Sequence, residues 1–190
     1  MTEHVVERLM LPPRETDLRA LGELLVDAVD SGAAVSFLAP LTPELAPRWW
    51  RQSLATHDSS SGTRAPIVLV AREPKQEVPD RPATPGGIVG TVQLQPAWAP
   101  NQPHRAEVCK LIVHRRSRRA GLGRRLMLEV ENAARDAGFR LLTLDAKRDG
   151  DAEHLYRRLG WIHAGTIPRF ALDCDARTPH DAVIYYKHLD

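Results

Sequence analysis

Six residues, Arg118-Arg119-Ala120-Gly121-Leu122-Gly123, constrain this chain more than any other stretch, because of what flanks them. Before them lies the apolar, strand-like run Val108 to Val113. After them Leu122, Leu126, Val130, Ala133 and Ala137 recur at helical spacing until Gly138, where a left-handed C-terminal cap belongs. A strand that turns through glycines directly into a helix leaves the first helical N–H groups unpaired and presents the positive end of the helix dipole. Glycines carry no Cβ, so an anion can approach the backbone closely. The pattern predicts a strand, cradle and helix unit that binds a phosphorylated cofactor. From the six residues alone, a surface turn with a solvated charge cluster is the plainer alternative. A dinucleotide-binding βαβ motif would carry three glycines near the start of its domain, whereas this run has two, late in the chain.

Composition limits the remaining classes. The 190 residues with 43% hydrophobic content predict one domain, 1–190, with a sizeable core. A formal charge of +2 argues against a large nucleic-acid surface, although Arg115, Arg116, Arg118, Arg119, Arg124 and Arg125 concentrate charge at the cradle. A local anion suits that charge, and binding of nucleic acid through the cluster stands as a minor alternative. Cys109 and Cys174 are too few for a disulfide framework and make no metal-ligand spacing with the histidines, which fits a reducing cytoplasm and predicts no metal. No apolar stretch reaches the roughly 20 residues of a membrane-spanning helix, so no membrane partner is expected.

Elsewhere the pattern alternates between strand and helix. Val5 to Met10 reads as a strand, and Asp17 opens a helix with Leu18, Leu21, Leu24, Leu25 and Val29 that Ser31-Gly32 stops. A second helix starts near Thr42-Pro43 and runs through Trp49, Trp50 and Leu54, with both tryptophans read as core or subunit contacts. Ser59 to Thr63 is a loop, and Ile67 to Ala71 and Ile88 to Gln95 are strands joined by the proline-rich segment Glu73 to Gly87. Ala106 to Val113 is the strand before the cradle. Leu141 to Leu144 suits a parallel strand buried on both faces and ends at Asp145, Glu153 to Leu159 is a short helix closed by Gly160, and two strands finish the chain.

The spacing Arg118-x-x-Gly121-x-Gly123, together with Glu153-His154-Leu155-Tyr156-Arg157-Arg158-Leu159-Gly160-Trp161, resembles the GNAT family of N-acetyltransferases over nearly the whole chain. The resemblance implies an α/β (α+β) GNAT fold: a mixed sheet of about six to seven strands flanked by about four helices and splayed between two central parallel strands. It implies acetyl-CoA as cofactor, held by Arg118, Arg119, Ala120, Gly121, Leu122, Gly123 and Arg124 and by the backbone of Leu111, Ile112 and Val113. It also implies a homodimer. Arg105-Ala106-Glu107-Val108, Lys110-Leu111, Leu144-Asp145, Ile167-Pro168 and Tyr186-Lys187 are similar to the tabtoxin-resistance type within the family. Cys109 departs from that type, where glutamine is expected, and so does the long connection at 73–87.

Acetyl transfer by direct attack through a tetrahedral intermediate needs a neutral amine, a stabilised oxyanion and a proton for the departing thiolate. An alkyl ammonium has a pKa of about 10, so a base is required near neutral pH. Glu107 and Asp145 are the candidate bases, on what should be adjacent parallel strands. Regular alternation puts Glu107, Cys109 and Leu111 on one face and Val108, Lys110 and Ile112 on the other. Glu107 could instead pair with Arg105 or Lys110, and Asp145 could cap a turn. Tyr156 is the candidate acid, its phenol pKa of about 10 close to that of a thiol near 8.5; core packing is its alternative role. Cys109 reads as a buried thiol, since no His-Asp pair adjoins it.

Ser36 and Phe37 beside Val35, together with Trp98 and His180, are candidate lining for the acceptor. The tabtoxin-resistance likeness implies a small-molecule, amino-acid-like or antibiotic-like amine, with detoxification and antibiotic resistance as the role. Acetylation of lysine or protein N-termini is the alternative within catalysis, and a noncatalytic acyl-CoA-binding module the alternative outside it.

Overall fold

The computed structural model describes residues 4–55, 64–74 and 87–189. The loop expected at 59–63 and most of the connection at 73–87 lie outside them. Among the described residues seven strands form one mixed sheet in the order β1-β2-β3-β4-β5-β7-β6. They are β1 (Val5–Arg8), β2 (Ile67–Arg72), β3 (Ile88–Pro96), β4 (Arg105–Val113), β5 (Leu141–Lys147), β6 (Ile162–Leu172) and β7 (Pro179–His188). The helices are α1 (Glu15–Asp30), α2 (Leu45–Ala55), α3 (Leu122–Asp136) and α4 (Asp151–Arg158).

Two apolar layers enclose the sheet. One gathers Leu122, Leu126, Met127 and Val130 of α3 over Val92, Leu94, Ala106, Val108, Leu142 and Leu144. The other packs Leu18, Leu21, Leu24 and Leu25 of α1 and Trp50 and Leu54 of α2 over Val68, Val70 and Ile112. Gly22 lets the two N-terminal helices close up, because a Cβ there would lie 2.6 Å from Cγ of Pro47. Trp50 is fully buried and donates its indole N–H to the Leu21 carbonyl at 3.0 Å. Trp50→Ala is therefore expected to destabilise the protein by about 3–5 kcal/mol, read by chemical denaturation.

Two features of the sheet shape the site, and the second departs from the sequence reading. The central parallel pair is short: β4 meets β5 only at Arg105↔Leu141, Ala106↔Leu142 and Glu107↔Thr143. Beyond that point β4 pairs only with β3 and β5 only with β7, so the sheet splays as the fold implies. The second feature is a register shift between Thr91 and Gln93 of β3, where β4 carries an extra residue and Lys110 has φ +52°. This bulge breaks the regular alternation. Leu111 joins the α3 layer with Ala106 and Val108, while Ile112 joins the α1 layer. Leu111 does not share the face of Glu107 and Cys109.

Strand β5 also differs from the expected one. It runs on through Lys147, so Asp145 lies inside the strand and not at its end, and it alternates: Leu142, Leu144 and Ala146 are buried while Asp145 is exposed. At the far edge β6 is largely exposed, with Ile162, Ile167, Phe170 and Leu172 open.

Candidate active site

The cradle follows β4 directly. His114 to Ser117 make a tight turn in which the Ser117 amide donates to the His114 carbonyl at 2.8 Å, and Arg119 and Gly121 then adopt left-handed backbone angles of +61° and +78°. Helix α3 opens at Gly121 with no side-chain cap and no acidic residue in its first turn. Among the described residues the first amide to find a backbone acceptor is that of Arg125, 3.1 Å from the Gly121 carbonyl. The amides of Leu122, Gly123 and Arg124 thus face outward at the positive end of a 15-residue helix.

The arginine cluster divides into two uses. Arg115 holds Asp27, Arg116 pairs with Glu73 at 3.1 Å, and Arg125 donates to the His4 carbonyl at 2.7 Å. Arg118, expected to face an anion, turns its guanidinium back onto the Val113 carbonyl at 3.0 Å and the Ser31 hydroxyl at 2.7 Å. Its side chain braces the turn against the end of α1. Arg119 and Arg124 are exposed and make no ion pair among the described residues, which leaves them to meet phosphate. The uncapped helix, its glycines and these two arginines fit a pyrophosphate.

Between β4 and β5 the splay leaves the β4 edge from Val108 to Val113 without a strand partner on that side. Backbone amides there are free to hold an acyl group, and the partly buried Leu111 and Val113 offer it an apolar wall. The two carboxylates meet at this opening. Glu107 is in register with Thr143, and Asp145 lies two residues further along β5 on the same face. Desolvation raises the Glu107 pKa, and the nearby charge of Asp145 raises it further against the opposing pull of Arg105 and Lys110. Such a carboxylate is a better proton acceptor than an ordinary glutamate. Arg105, the partner considered for Glu107, instead bonds Gln102 and the Thr143 hydroxyl.

Tyr156 comes to the opening from α4, 6% exposed, between Trp161 and Tyr185 at ring distances of 6.0 and 6.2 Å. Buried carboxylates fix that helix. Glu153 accepts from the Asp149 amide at 2.6 Å and the Tyr185 hydroxyl at 3.1 Å. Glu131 of α3 accepts from the Trp161 indole at 3.0 Å and from Lys187 at 2.7 Å. Burial, with Asp145 and Cys109 adding to it, pushes the Tyr156 hydroxyl above the ordinary phenol value. The close match to a thiol expected from sequence is therefore not kept; the phenol holds its proton firmly and acts first as a hydrogen-bond donor. Burial likewise pushes the Cys109 thiol up to about 11, so it is a neutral thiol near neutral pH and a poor nucleophile.

The acceptor-side candidates separate. Ser36 and Phe37 lie on the α1–α2 loop, where the Ser36 hydroxyl accepts from Lys110 at 3.2 Å and Phe37 packs edge-on to Trp49 at 5.0 Å. His180 is bound to Asp173 at 2.8 Å, and Asp173 also pairs with Lys147 at 2.6 Å. The hairpin carrying them is tied to the loop through the Ala39 amide, 2.8 Å from the Cys174 carbonyl. Trp98 stands apart, 84% exposed in the β3–β4 connection at the end of β4 away from the cradle. Lys110 and Gln93 escaped the sequence reading because only the register across the bulge brings them to this face.

An acyl-CoA-dependent acyltransferase is the class that this cradle, splay and carboxylate pair define. Residues 45–161 match the family model described as Acetyltransferase (GNAT) family. The chain belongs to the GNAT family and is an N-acetyltransferase that uses acetyl-CoA. It is 32% identical over 149 residues, 77% of each chain, to an uncharacterized N-acetyltransferase of the hisH-hisA intergenic region of Azospirillum brasilense. Its fold is similar to that of yncA, assigned as an acetyltransferase of Salmonella typhimurium and solved with its cofactor acetyl-CoA: TM-score 0.71 and 18% identity over 98% of this chain and 94% of that one. It is equally similar to an N-acetyltransferase of Staphylococcus aureus, with TM-score 0.73 and 18% identity over 100% of both chains. Among the described residues no helix is long and apolar enough to cross a membrane.

Proposed function

We propose that the chain acetylates the amine of a small, amino-acid-like molecule, with Glu107 as base, Asp145 as the charge that keeps Glu107 basic, and Tyr156 as the proton donor. The observation that carries this reading is the pair of carboxylates on the open face of the splay, beside the free β4 edge. Bound acetyl-CoA supplies the thioester from which the acetyl group is taken. Glu107 removes a proton from the incoming ammonium so that a neutral amine faces the opening. Those amides along Leu111 to Val113 that point away from β3 can donate to an oxygen that gains negative charge. Tyr156 holds its proton on the α4 side of the same opening and would give it to the departing thiolate.

The stretches shared with the tabtoxin-resistance type support an antibiotic-like acceptor such as a β-lactam antimetabolite, and with it a detoxifying role. Thiol release measured with free amino acids, a tabtoxinine-like β-lactam, aminoglycosides, polyamines and peptides tests this reading. Turnover confined to the first two groups is expected, and turnover confined to peptides overturns it. Tyr156→Phe is expected to lower turnover about a hundredfold with acetyl-CoA affinity kept, read by steady-state kinetics beside calorimetric titration. The exposed β6 edge, with Phe170 and Ile167 open, supports a homodimer formed there. Phe170→Asp is then expected to yield monomer in light scattering, where the parent protein gives dimer.

A further inference from the structure

Two side chains on the acceptor face have unused hydrogen-bonding capacity. Lys110 projects from the β4 bulge, and its ammonium donates to the Val35 carbonyl at 3.2 Å and the Ser36 hydroxyl at 3.2 Å. It also lies 5.8 Å from the ring centroid of Phe37 and 5.5 Å from that of Trp49. All four partners are neutral, and among the described residues no carboxylate comes within ion-pairing distance. One N–H is left without a partner, and the charge of Glu107, which acts on Lys110 from beyond ion-pairing distance, does not satisfy it; in a partly buried setting an anion would complete the group. The second group is Gln93 of β3, only 3% exposed, whose Nε2 has no hydrogen-bond partner among the described residues. Gln93 is in register with Cys109, the residue before Lys110, and its Oε1 accepts the Cys109 thiol at 3.6 Å. Because the bulge sets two β4 residues against one on β3, Cys109 and Lys110 are brought to the same face.

We propose that Lys110 Nζ and Gln93 Nε2 together form an anion subsite that seats the carboxylate of an amino-acid acceptor and thereby turns its amine toward Glu107 and Asp145. Cys109 lies two residues beyond Glu107, about 7 Å along β4. That span fits an α-amino acid with its carboxylate at one end and a hydrogen bond from its ammonium at the other. The proposal rests on the small-acceptor reading and narrows it: a peptide-linked carboxyl or a carboxamide lacks the charge that Lys110 awaits. Lys110 and Gln93 are thus specificity-determining residues, and the strained φ of Lys110 is retained because the bulge aims its ammonium.

The test compares L-amino acids with their α-carboxamides in the thiol-release assay. The parent protein is expected to show a KM at least about tenfold lower for the best amino acid than for its carboxamide. Lys110→Met is expected to raise the amino-acid KM about tenfold or more with kcat changed less, to leave the carboxamide KM near its original value, and to be rescued by Lys110→Arg. Gln93→Leu should shift the same ratio by a smaller factor. Equal KM values for acid and carboxamide in the parent protein overturn the subsite while leaving the small-acceptor reading standing, and need no variant to fold. Equal losses on both substrates in Lys110→Met show a clamp on the 33–37 loop instead and also overturn it. Turnover of peptides alone overturns the subsite and the small-acceptor reading together.

Discussion

Glu107→Gln is expected to lower amine acetylation about a hundredfold at neutral pH while acetyl-CoA affinity changes less than about twofold. Glutamine keeps the shape of the side chain and removes only its capacity to accept a proton. Glu107 lies at the acceptor side of the splay and the cradle follows β4 beyond Val113, so cofactor binding has no reason to change. The pH dependence carries the sign of the assignment. Desolvation and the charge of Asp145 raise the Glu107 pKa, and the ionised form is the active base. The rate in the parent protein should therefore rise with pH through an apparent pKa above the ordinary glutamate range. Asp145→Asn should move this limb to lower pH, because it removes the like charge. Stability has the opposite sense: a carboxyl whose pKa is raised by folding binds its proton more tightly in the native state, so ionising it costs stability as pH rises. Glu107→Gln should consequently melt slightly higher than the parent near neutral pH, while losing activity.

Gly123→Trp is expected to abolish acetyl-CoA binding, raising Kd more than about a hundredfold by calorimetric titration, in a protein that still folds. A Cβ on Gly123 meets only Cδ2 of Leu155 at 3.5 Å and Cγ2 of Val113 at 3.9 Å, both ordinary contacts. Alanine should thus be accepted by the fold. An indole has no room between those two side chains and must extend over the outward-facing amides of the first α3 turn. Retained affinity in this variant would place the cofactor elsewhere.

The elements were legible where the chemistry is local. Gly32, Gly121, Gly138 and Gly160 all adopt the left-handed angles that the stop and turn signals demanded. Helical periodicity from Leu122 onward located α3, whose buried face is Leu122, Leu126, Met127, Val130, Glu131 and Ala134. What failed was non-local. Nothing in the run Val108 to Val113 announces a bulge at Lys110, because the extra residue exists only relative to β3. A two-residue alternation therefore misplaced Leu111 and hid Lys110. Asp145 read as a strand end because Leu141 to Leu144 is where the apolar residues stop, yet pairing with β7 carries β5 on to Lys147↔Ala182. Arg118 reads as a phosphate ligand by its place in the motif, and the turn in three dimensions adds bonds to the Val113 carbonyl and the Ser31 hydroxyl that no sequence signal announces. Trp98 reads as acceptor lining by its aromatic surface, which the β3–β4 connection leaves open to solvent.

The most direct measurement is the pH profile of amine-dependent thiol release from acetyl-CoA, run side by side on the parent protein and Glu107→Gln. Release that requires the amine, with a rising limb above the ordinary glutamate range in the parent and no such limb in the variant, is the result predicted. Release independent of any amine, or a variant with the parent's rate and profile, would contradict Glu107 as the base of an N-acetyltransferase.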